Sequence, residues 1–229
     1  MANLKEDKNH YASQTQREVL ISLLANPTIE ESFFLTGGTA LSVFYLHHRL
    51  SDDLDFFTLN SLDLAEIDFW IKRMWTGEGV KIKDSPNFLS YLIKETKVDF
   101  VIDALSNRED REKILFENRH NLLVDTINNI VSNKFCTIVS RIEPKDFIDF
   151  YFIQKLFPKM DIEQIYNNAR IKEAIFDDPP TAAFQIEEGI AFLKNNKTIF
   201  PQILMDFDIH DFFEFYDNVI NWLYQRVRI

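Results

Sequence analysis

The sequence has little cysteine, glycine and proline and lacks a long uncharged segment, and each absence excludes a class of protein. Its single cysteine, Cys136, excludes an intramolecular disulfide framework and argues against a cysteine-based zinc site. Five glycines and seven prolines, beside 46% hydrophobic residues, exclude collagen-like, low-complexity and disordered chains. The longest stretch without Asp, Glu, Lys or Arg, residues 32–48, is shorter than a bilayer-spanning helix. We therefore expect a globular, cytoplasmic protein without a membrane segment.

A basic region is also lacking. The formal net charge is −11, and acidic residues exceed basic ones both before and after residue 104. Strong nonspecific attraction to a nucleic-acid backbone is therefore not expected. The charge remains compatible with a nucleotide, a small molecule, a protein partner, or nucleic acid held in a local basic groove.

The pattern of hydrophobic residues predicts a mixed α/β lobe followed by an all-helical lobe. In the first lobe it predicts helices over residues 11–26, 39–48 and 62–74, and strands over 33–36, 54–58, 80–83, 88–94 and 97–103. After residue 105 no further strand is predicted, and helical periodicity extends from Asp125 to the C-terminus. The predicted fold is α+β, with a mixed sheet and flanking helices in residues 1–110 and the helical lobe in residues 111–229.

A glycine turn follows the first predicted strand. Gly37 and Gly38 lie between this strand and the next helix, and Thr39 adds a hydroxyl at the same point. Bare backbone N–H groups and the helix dipole at such a helix start both favour negative charge. The turn is therefore a candidate phosphate-binding site.

Two carboxylates follow the turn on the next predicted strand. Asp53 and Asp55 are two residues apart, so both side chains leave the same face, while Leu54 points into the core. Paired carboxylates beside a phosphate site are typical Mg²⁺ ligands, although such a pair can also protect a strand edge from aggregation. Asp206 and Asp208 repeat the pattern without a glycine turn, and we interpret them as solvated surface.

The two features together match a known family. The segment Gly37-Gly38-Thr39-Ala40-Leu41, followed by Arg49-x-Ser51-x-Asp53-Leu54-Asp55-Phe56, resembles the first motif of the AbiEii/AbiGii-type nucleotidyltransferases. These belong to the DNA polymerase beta-like superfamily, and some are toxins of abortive-infection toxin–antitoxin systems. Superfamily members often carry Gly-Ser where this chain has Gly38-Thr39. The resemblance implies Mg²⁺ at Asp53 and Asp55, and nucleotide contacts by Gly37, Gly38, Thr39, Arg49 and Ser51.

The resemblance also implies a third carboxylate from a neighbouring strand. Asp99 is the first candidate, as metal ligand and base, and Asp103 is the second. Val98 and Phe100 would face the core, which places Asp99 on the opposite side of the strand. The alternative is a strand residue that faces solvent.

One lysine of the helical lobe lies on an apolar helix face. Lys134 falls between Val131 and Ile138 on a stripe that we extend to Ile142. A buried ammonium needs a negative partner. A nucleotide triphosphate would serve, and so would a structural ion pair or a side chain that reaches back to water.

The next helix carries a second match. Lys145-Asp146-x-x-Asp149 looks like the KDxxD motif of the same family, and Lys134 lies where the family places a nucleotide-contacting lysine. The resemblance therefore implies catalytic roles for Lys134 and Asp146, and nucleotide contacts for Lys134, Lys145 and Asp149. The alternative for the two aspartates is helix capping and an ion pair with Arg141.

The predicted activity is transfer of a nucleoside monophosphate from an NTP to an acceptor, at a site that holds two Mg²⁺ ions. The acceptor is RNA such as tRNA, a protein hydroxyl or a small molecule, and the resemblance allows for an antitoxin partner. Two alternatives are a manganese-dependent sugar-nucleotide transferase and a non-catalytic nucleotide-binding or interaction module. The five histidines show no metal-ligand spacing, and His47-His48 is interpreted as the end of a helix.

Overall fold

The computed structural model describes residues 4–106 and 108–226. The chain divides into two compact units, and the division falls between Ile127 and Asn128. The boundary after residue 110 that the sequence indicates remains a prediction. In the described residues no helix is both long and apolar enough to cross a membrane.

The first unit contains four helices and seven strands among its described residues. The helices are α1 (Gln14–Leu23), α2 (Pro27–Ser32), α3 (Gly37–Ala40, continued by a π-helical turn, Leu41–Tyr45) and α4 (Leu64–Met74). The strands are β1 (Phe34–Thr36), β2 (Leu54–Thr58), β3 (Gly79–Ser85), β4 (Phe88–Ile93), β5 (Thr96–Ile102), β6 (Glu112–Leu115) and β7 (Asn121–Val124).

All seven strands form one mixed sheet in the order β3-β4-β5-β2-β1-β7-β6. Strand β1 pairs antiparallel with β2 and parallel with β7, while β2 pairs parallel with β5. Leu54 and Phe56 on β2, with Val98 and Phe100 on β5, are fully buried, so both central strands present one face to the core. The predicted mixed sheet with flanking helices is confirmed.

Several local predictions were wrong. Strands β6 and β7 lie in the region where no strand was predicted, because each has only four residues and its polar and apolar residue types do not alternate along the sequence. The helix predicted to reach His48 ends its regular turns at Tyr45, and His47 has a left-handed backbone conformation. The helix predicted over residues 11–26 ends at Leu23, and α2 begins after the Asn26 cap.

The second unit is helical in its described residues, which confirms the prediction of an all-helical lobe. Its helices are α5 (Ile127–Ser140, which begins at the last residue of the first unit), α6 (Pro144–Leu156), α7 (Ile162–Lys172), α8 (Pro179–Asn195) and α9 (Ile209–Tyr224). Aromatic rings fill its core, where Phe135 and Phe150 stack with centroids 4.9 Å apart and the Tyr216 hydroxyl donates to Phe147 O at 2.7 Å. Ile142 lies beyond the end of α5 and is exposed, so it is not part of the predicted apolar stripe.

Candidate functional site

The glycine turn packs directly against the residues that the family motif places after it. Gly37 has φ +69°, and a Cβ there would lie 2.2 Å from Asp55 Oδ2. A Cβ on Gly38 would lie 2.4 Å from Ser51 Oγ and 2.8 Å from Arg49 Nη2. Both positions therefore require glycine, the first for conformation and contact and the second for contact alone.

A buried hydroxyl fastens the loop that leads into β2. Thr39 Oγ1 donates to Asp53 O, and it also lies 3.2 Å from Ser51 O. Gln16 Nε2 donates to the same Ser51 carbonyl at 2.8 Å, and Arg49 Nη1 donates to Leu50 O at 2.7 Å. These bonds fix the path of the loop, and phosphate contacts by Thr39, Arg49 and Ser51 remain predictions.

The structure brings the three predicted metal-binding carboxylates to one face of the sheet. Asp55 on β2 and Asp99 on β5 are cross-strand partners in a parallel pair. Asp53 directly precedes β2, two residues from Asp55 and therefore on the same side. Asp53 and Asp55 are half-buried, whereas Asp99 is buried with 7% of its surface exposed.

Asp103, the second candidate for the third carboxylate, has a different position. It follows the end of β5, where its carboxylate accepts hydrogen bonds from Leu105 N at 3.0 Å and Ser106 Oγ at 2.6 Å. These bonds close a local turn. The geometry therefore favours Asp99 over Asp103 as the partner of Asp55.

A lysine already supplies positive charge to this face. Lys97 Nζ donates to Asp99 Oδ2 at 2.5 Å, and Ser90 Oγ donates to Asp99 Oδ1 at 2.5 Å. Partial burial alone would lower the pKa of Lys97, but the Asp99 contact and the charges of Asp53 and Asp55 raise that pKa above its ordinary value. A place that holds an ammonium beside three carboxylates has the oxygen donors that Mg²⁺ prefers.

Two residues near the glycine turn, Asp125 and Arg111, were not identified as site residues from the sequence. Asp125 follows β7 and is fully buried; it accepts hydrogen bonds from Thr36 Oγ1 at 2.8 Å and Arg111 Nε at 3.2 Å. Arg111 also lies over the Phe34 ring, 4.1 Å from its centroid. The group fixes the end of β1, where the turn begins. No motif marked it, because Asp125 reaches Thr36 only through the pairing of β7 with β1.

In the helical unit, the predicted nucleotide-binding residues form an ion-pair cluster. Lys134 Nζ lies 2.7 Å from both Asp146 Oδ1 and Asp149 Oδ2, and Arg141 Nη2 lies 2.7 Å from Asp146 Oδ2. Burial alone would raise the pKa of Asp146, but the neighbouring Lys134 and Arg141 lower it. Lys145 is half-buried in the first turn of α6. The contact expected if Lys134 forms a structural ion pair is therefore present, and its predicted contact with nucleotide stays a prediction.

The second pair of spaced aspartates has an ordinary role. Asp206 and Asp208 are both exposed, and Asp208 caps α9 by accepting a hydrogen bond from His210 N at 2.7 Å. They lie on no strand, in contrast to Asp55.

Comparison with known proteins confirms the resemblance drawn from the motifs. A sequence model described as nucleotidyl transferase AbiEii toxin, type IV toxin–antitoxin system, matches residues 18–197. An uncharacterized protein of Aquifex aeolicus, aq_aa25, is 30% identical over 146 residues, which are 61% of this chain and 66% of that protein. The chain thus matches slightly less than two thirds of that relative's length.

Solved structures show the same fold. A candidate nucleotidyltransferase from H. pylori aligns with a TM-score of 0.55 and 16% identity, over 93% of this chain and 96% of that one. The Helicobacter pylori protein JHP933 aligns with a TM-score of 0.53 and 15% identity, over 93% and 94% of the two chains.

Proposed function

Because the chain belongs to the AbiEii nucleotidyl transferase toxin family and is therefore a nucleotidyltransferase, we propose that it moves a nucleoside monophosphate from an NTP to an acceptor hydroxyl, with Mg²⁺ as cofactor. The observation that carries this proposal is the cross-strand pair Asp55 and Asp99 beside the glycine turn. A phosphate-binding turn and a carboxylate cation site in contact are what binding of a metal–triphosphate requires.

Asp53, Asp55 and Asp99 would hold the metal. Mg²⁺ bound there supplies stabilisation of the negative charge that develops on the phosphoryl oxygens. The fit rests on three oxygen donors on one face and on the cation Lys97, which contacts Asp99 and is attracted by the charges of Asp53 and Asp55. Gly37 leaves room for the Asp55 carboxylate, since any side chain at that position would collide with it.

Asp99 would also accept the proton of the attacking hydroxyl. Its two oxygens are oriented by Ser90 and Lys97, so the carboxylate is held in one position while substrate binds. Positioned proton transfer of this kind typically contributes about 10²–10⁴ in rate. Backbone N–H groups at Gly38 and Thr39 would orient the phosphates at the start of α3.

The helical unit would add nucleotide contacts through the family's second motif. Lys134, Asp146 and Asp149 match the positions that the resemblance assigns to them, and Lys145 precedes them in the first turn of α6. In the structure Lys134 is neutralised by two carboxylates, so a contact with the triphosphate would add to this ion pair rather than supply its missing partner.

Membership of the family is the basis for two further proposals, one on the acceptor and one on a partner protein. We take the acceptor to be RNA such as tRNA, with a protein hydroxyl or a small molecule as the competing outcomes of the test. The type IV toxin–antitoxin family implies an antitoxin protein. The cytoplasm, where NTPs are available, is the proposed location of the reaction.

The test is incubation of the full chain with each α-labelled NTP and Mg²⁺, with total RNA, total protein or neither added. We expect one of the NTPs to transfer its label to one acceptor fraction, and we expect EDTA to abolish this transfer. A parallel reaction with labelled UDP-sugars and Mn²⁺ tests the sugar-nucleotide transferase alternative. Asp55→Asn should abolish labelling, whereas the exposed Asp206→Asn should not change it. Labelling that survives Asp55→Asn, or that needs no divalent metal, would contradict the proposal.

A further inference from the structure

Three potential metal ligands from two separate segments meet in the first unit. Asp7 and His10 belong to the short 3₁₀ turn Lys8–His10 and its cap, and His47 follows the π-helical turn after α3. One ligand atom from each of the three lies within 4.8 Å of the other two. The sequence interpretation that the histidines form no metal site was based on spacing, and it could not include ligands from distant segments.

The distances match those of a transition-metal site. Asp7 Oδ2 lies 3.0 Å from His10 Nδ1, and the His10 and His47 rings have centroids 4.6 Å apart. Two ligand atoms on one tetrahedral Zn²⁺ ion lie ~3.3 Å from each other. The three side chains therefore need only small adjustments to share an ion.

Two of the ligands are oriented by backbone contacts. His47 Nδ1 donates to Ser42 O at 2.8 Å, which leaves Nε2 as the ligand atom. Asp7 Oδ1 accepts from Asn9 N at 3.0 Å, which leaves Oδ2, and the Asp7 N–H ties the segment to Val43 O at 3.0 Å.

The third ligand has a buried nitrogen that its protein neighbours do not satisfy. His10 Nδ1 is buried, and among the described residues it makes no aligned hydrogen bond; its polar neighbour is Asp7 Oδ2, an ion-pair partner 3.0 Å away. Buried polar atoms of this kind are rare and call for an explanation. His47, in addition, keeps a left-handed backbone with φ 59°, a conformation uncommon for residues other than glycine.

We propose that Asp7, His10 and His47 bind one divalent transition-metal ion of the Zn²⁺ class. Two imidazoles and one carboxylate suit such an ion and not Mg²⁺, which prefers oxygen ligands. The ion would fasten the N-terminal segment to the segment after α3, which leads on to Arg49 and Ser51 beside the glycine turn. Water would complete its tetrahedral coordination, and the site is separate from the carboxylates proposed to hold Mg²⁺.

The test is metal binding by the full chain after dialysis against EDTA. Titration with Co²⁺, followed by absorption, and with Zn²⁺, followed by calorimetry, should each show one site; Mg²⁺ should not compete for it. His10→Gln and His47→Gln should each weaken binding by at least about 10–100-fold. Zn²⁺ at a concentration that just saturates the wild type should raise its melting temperature, and the rise should be clearly smaller in both variants.

The matched control is His120→Gln. His120 also faces a carboxylate, with Nδ1 3.0 Å from Glu30 Oε2, but no second histidine joins it among the described residues. This variant should bind Co²⁺ and Zn²⁺ like the wild type. Asp55→Asn should do the same, which separates the result from the proposed catalytic metal.

Affinity unchanged by His10→Gln and His47→Gln, or no Co²⁺ and Zn²⁺ binding by the wild type at millimolar concentration, would overturn the proposal. Circular dichroism of each variant shows that it is folded before binding is measured. If a glutamine variant does not fold, the Asp7→Asn variant takes its place with the same expected loss.

Discussion

Two lysine–carboxylate clusters of similar composition differ in how firmly the lysine is held. In the helical unit, Lys134 has 9% of its side chain exposed and bonds two aspartates, Asp146 and Asp149, that are fully buried. In the sheet unit, the Lys97 side chain is 39% exposed and bonds Asp99 at the rim of its cluster. A lysine that water reaches can leave its carboxylate for an incoming cation at less cost than a buried one, although Asp99 itself is buried. The comparison favours the prediction of a ligand site around Lys97, and the nucleotide contact of Lys134 stays a prediction.

The largest expected effect comes from removing a carboxylate on the sheet. Asp55→Asn should lower the rate of nucleotidyl transfer by at least about 10³-fold, because metal stabilisation of phosphoryl charge is worth several kcal/mol. Its melting temperature should stay the same or rise, since repulsion among the carboxylates falls. Transfer assays and thermal unfolding measure the two quantities. A folded Asp55→Asn variant with wild-type transfer would place the site elsewhere.

Loss of the lysine from the ion-pair cluster of the helical unit should lower the stability of the protein. Lys134→Met leaves Asp146 and Asp149 buried together, so it should lower the free energy of unfolding by about 3 kcal/mol, as measured by urea denaturation. Lys97→Met, the matched change in the sheet unit, should cost less than Lys134→Met, because the Lys97 side chain is 39% exposed. Adding Asp146→Asn and Asp149→Asn to Lys134→Met should restore part of the loss. A Lys134→Met variant of wild-type stability that binds NTP poorly would instead make Lys134 a ligand contact.

The third carboxylate should affect the rate more than the affinity. Asp99→Asn keeps an oxygen that accepts from Ser90, and it should lower transfer by about 10²-fold while NTP affinity stays within a few-fold. Kinetics and calorimetry separate these quantities. Asp103→Asn, just beyond the end of β5, is the control: it changes an acceptor in a local turn and should leave both the transfer rate and the NTP affinity unchanged. Equal damage from the two variants would remove Asp99 from the proposed mechanism.

The smallest expected effect comes from removing Lys97, and it tests whether Lys97 and Mg²⁺ compete for Asp99. If the ammonium competes with Mg²⁺ for Asp99, Lys97→Met should lower the Mg²⁺ concentration needed for half-maximal NTP binding by up to about 5-fold, the equivalent of an exposed ion pair. Calorimetric titration of Mg²⁺ at fixed NTP measures this. An increase in the Mg²⁺ requirement would show that Lys97 contacts the nucleotide.

The central strands could be predicted from the sequence because their patterns are local. Leu54 and Phe56 alternate with Asp53 and Asp55, and the alternation indicates both the strand and its faces. The glycine turn was equally local, since Gly37 and Gly38 end one strand and begin a helix.

Features that depend on distant pairing could not be predicted. Strand β7 has four residues, and its place beside β1 follows from tertiary contacts that no window of sequence contains. The carboxylate partners of Lys134 and the approach of His10 to His47 also depend on tertiary contacts, so they could not be predicted either. An inward-facing lysine indicates that a negative partner exists, but only the fold shows whether a protein carboxylate supplies it.

The parallel pairing of β1 with β7 has a consequence for synthesis of the chain. β1 lies between β2 and β7, so one of its edges stays open until residues 121–124 have left the ribosome. The bonds that fix the end of β1, from Thr36 and Arg111 to Asp125, also wait for that point. A nascent chain of this protein therefore cannot form the bonds that hold its glycine turn in place until Asp125 has left the ribosome, although the turn itself was synthesised almost 90 residues earlier.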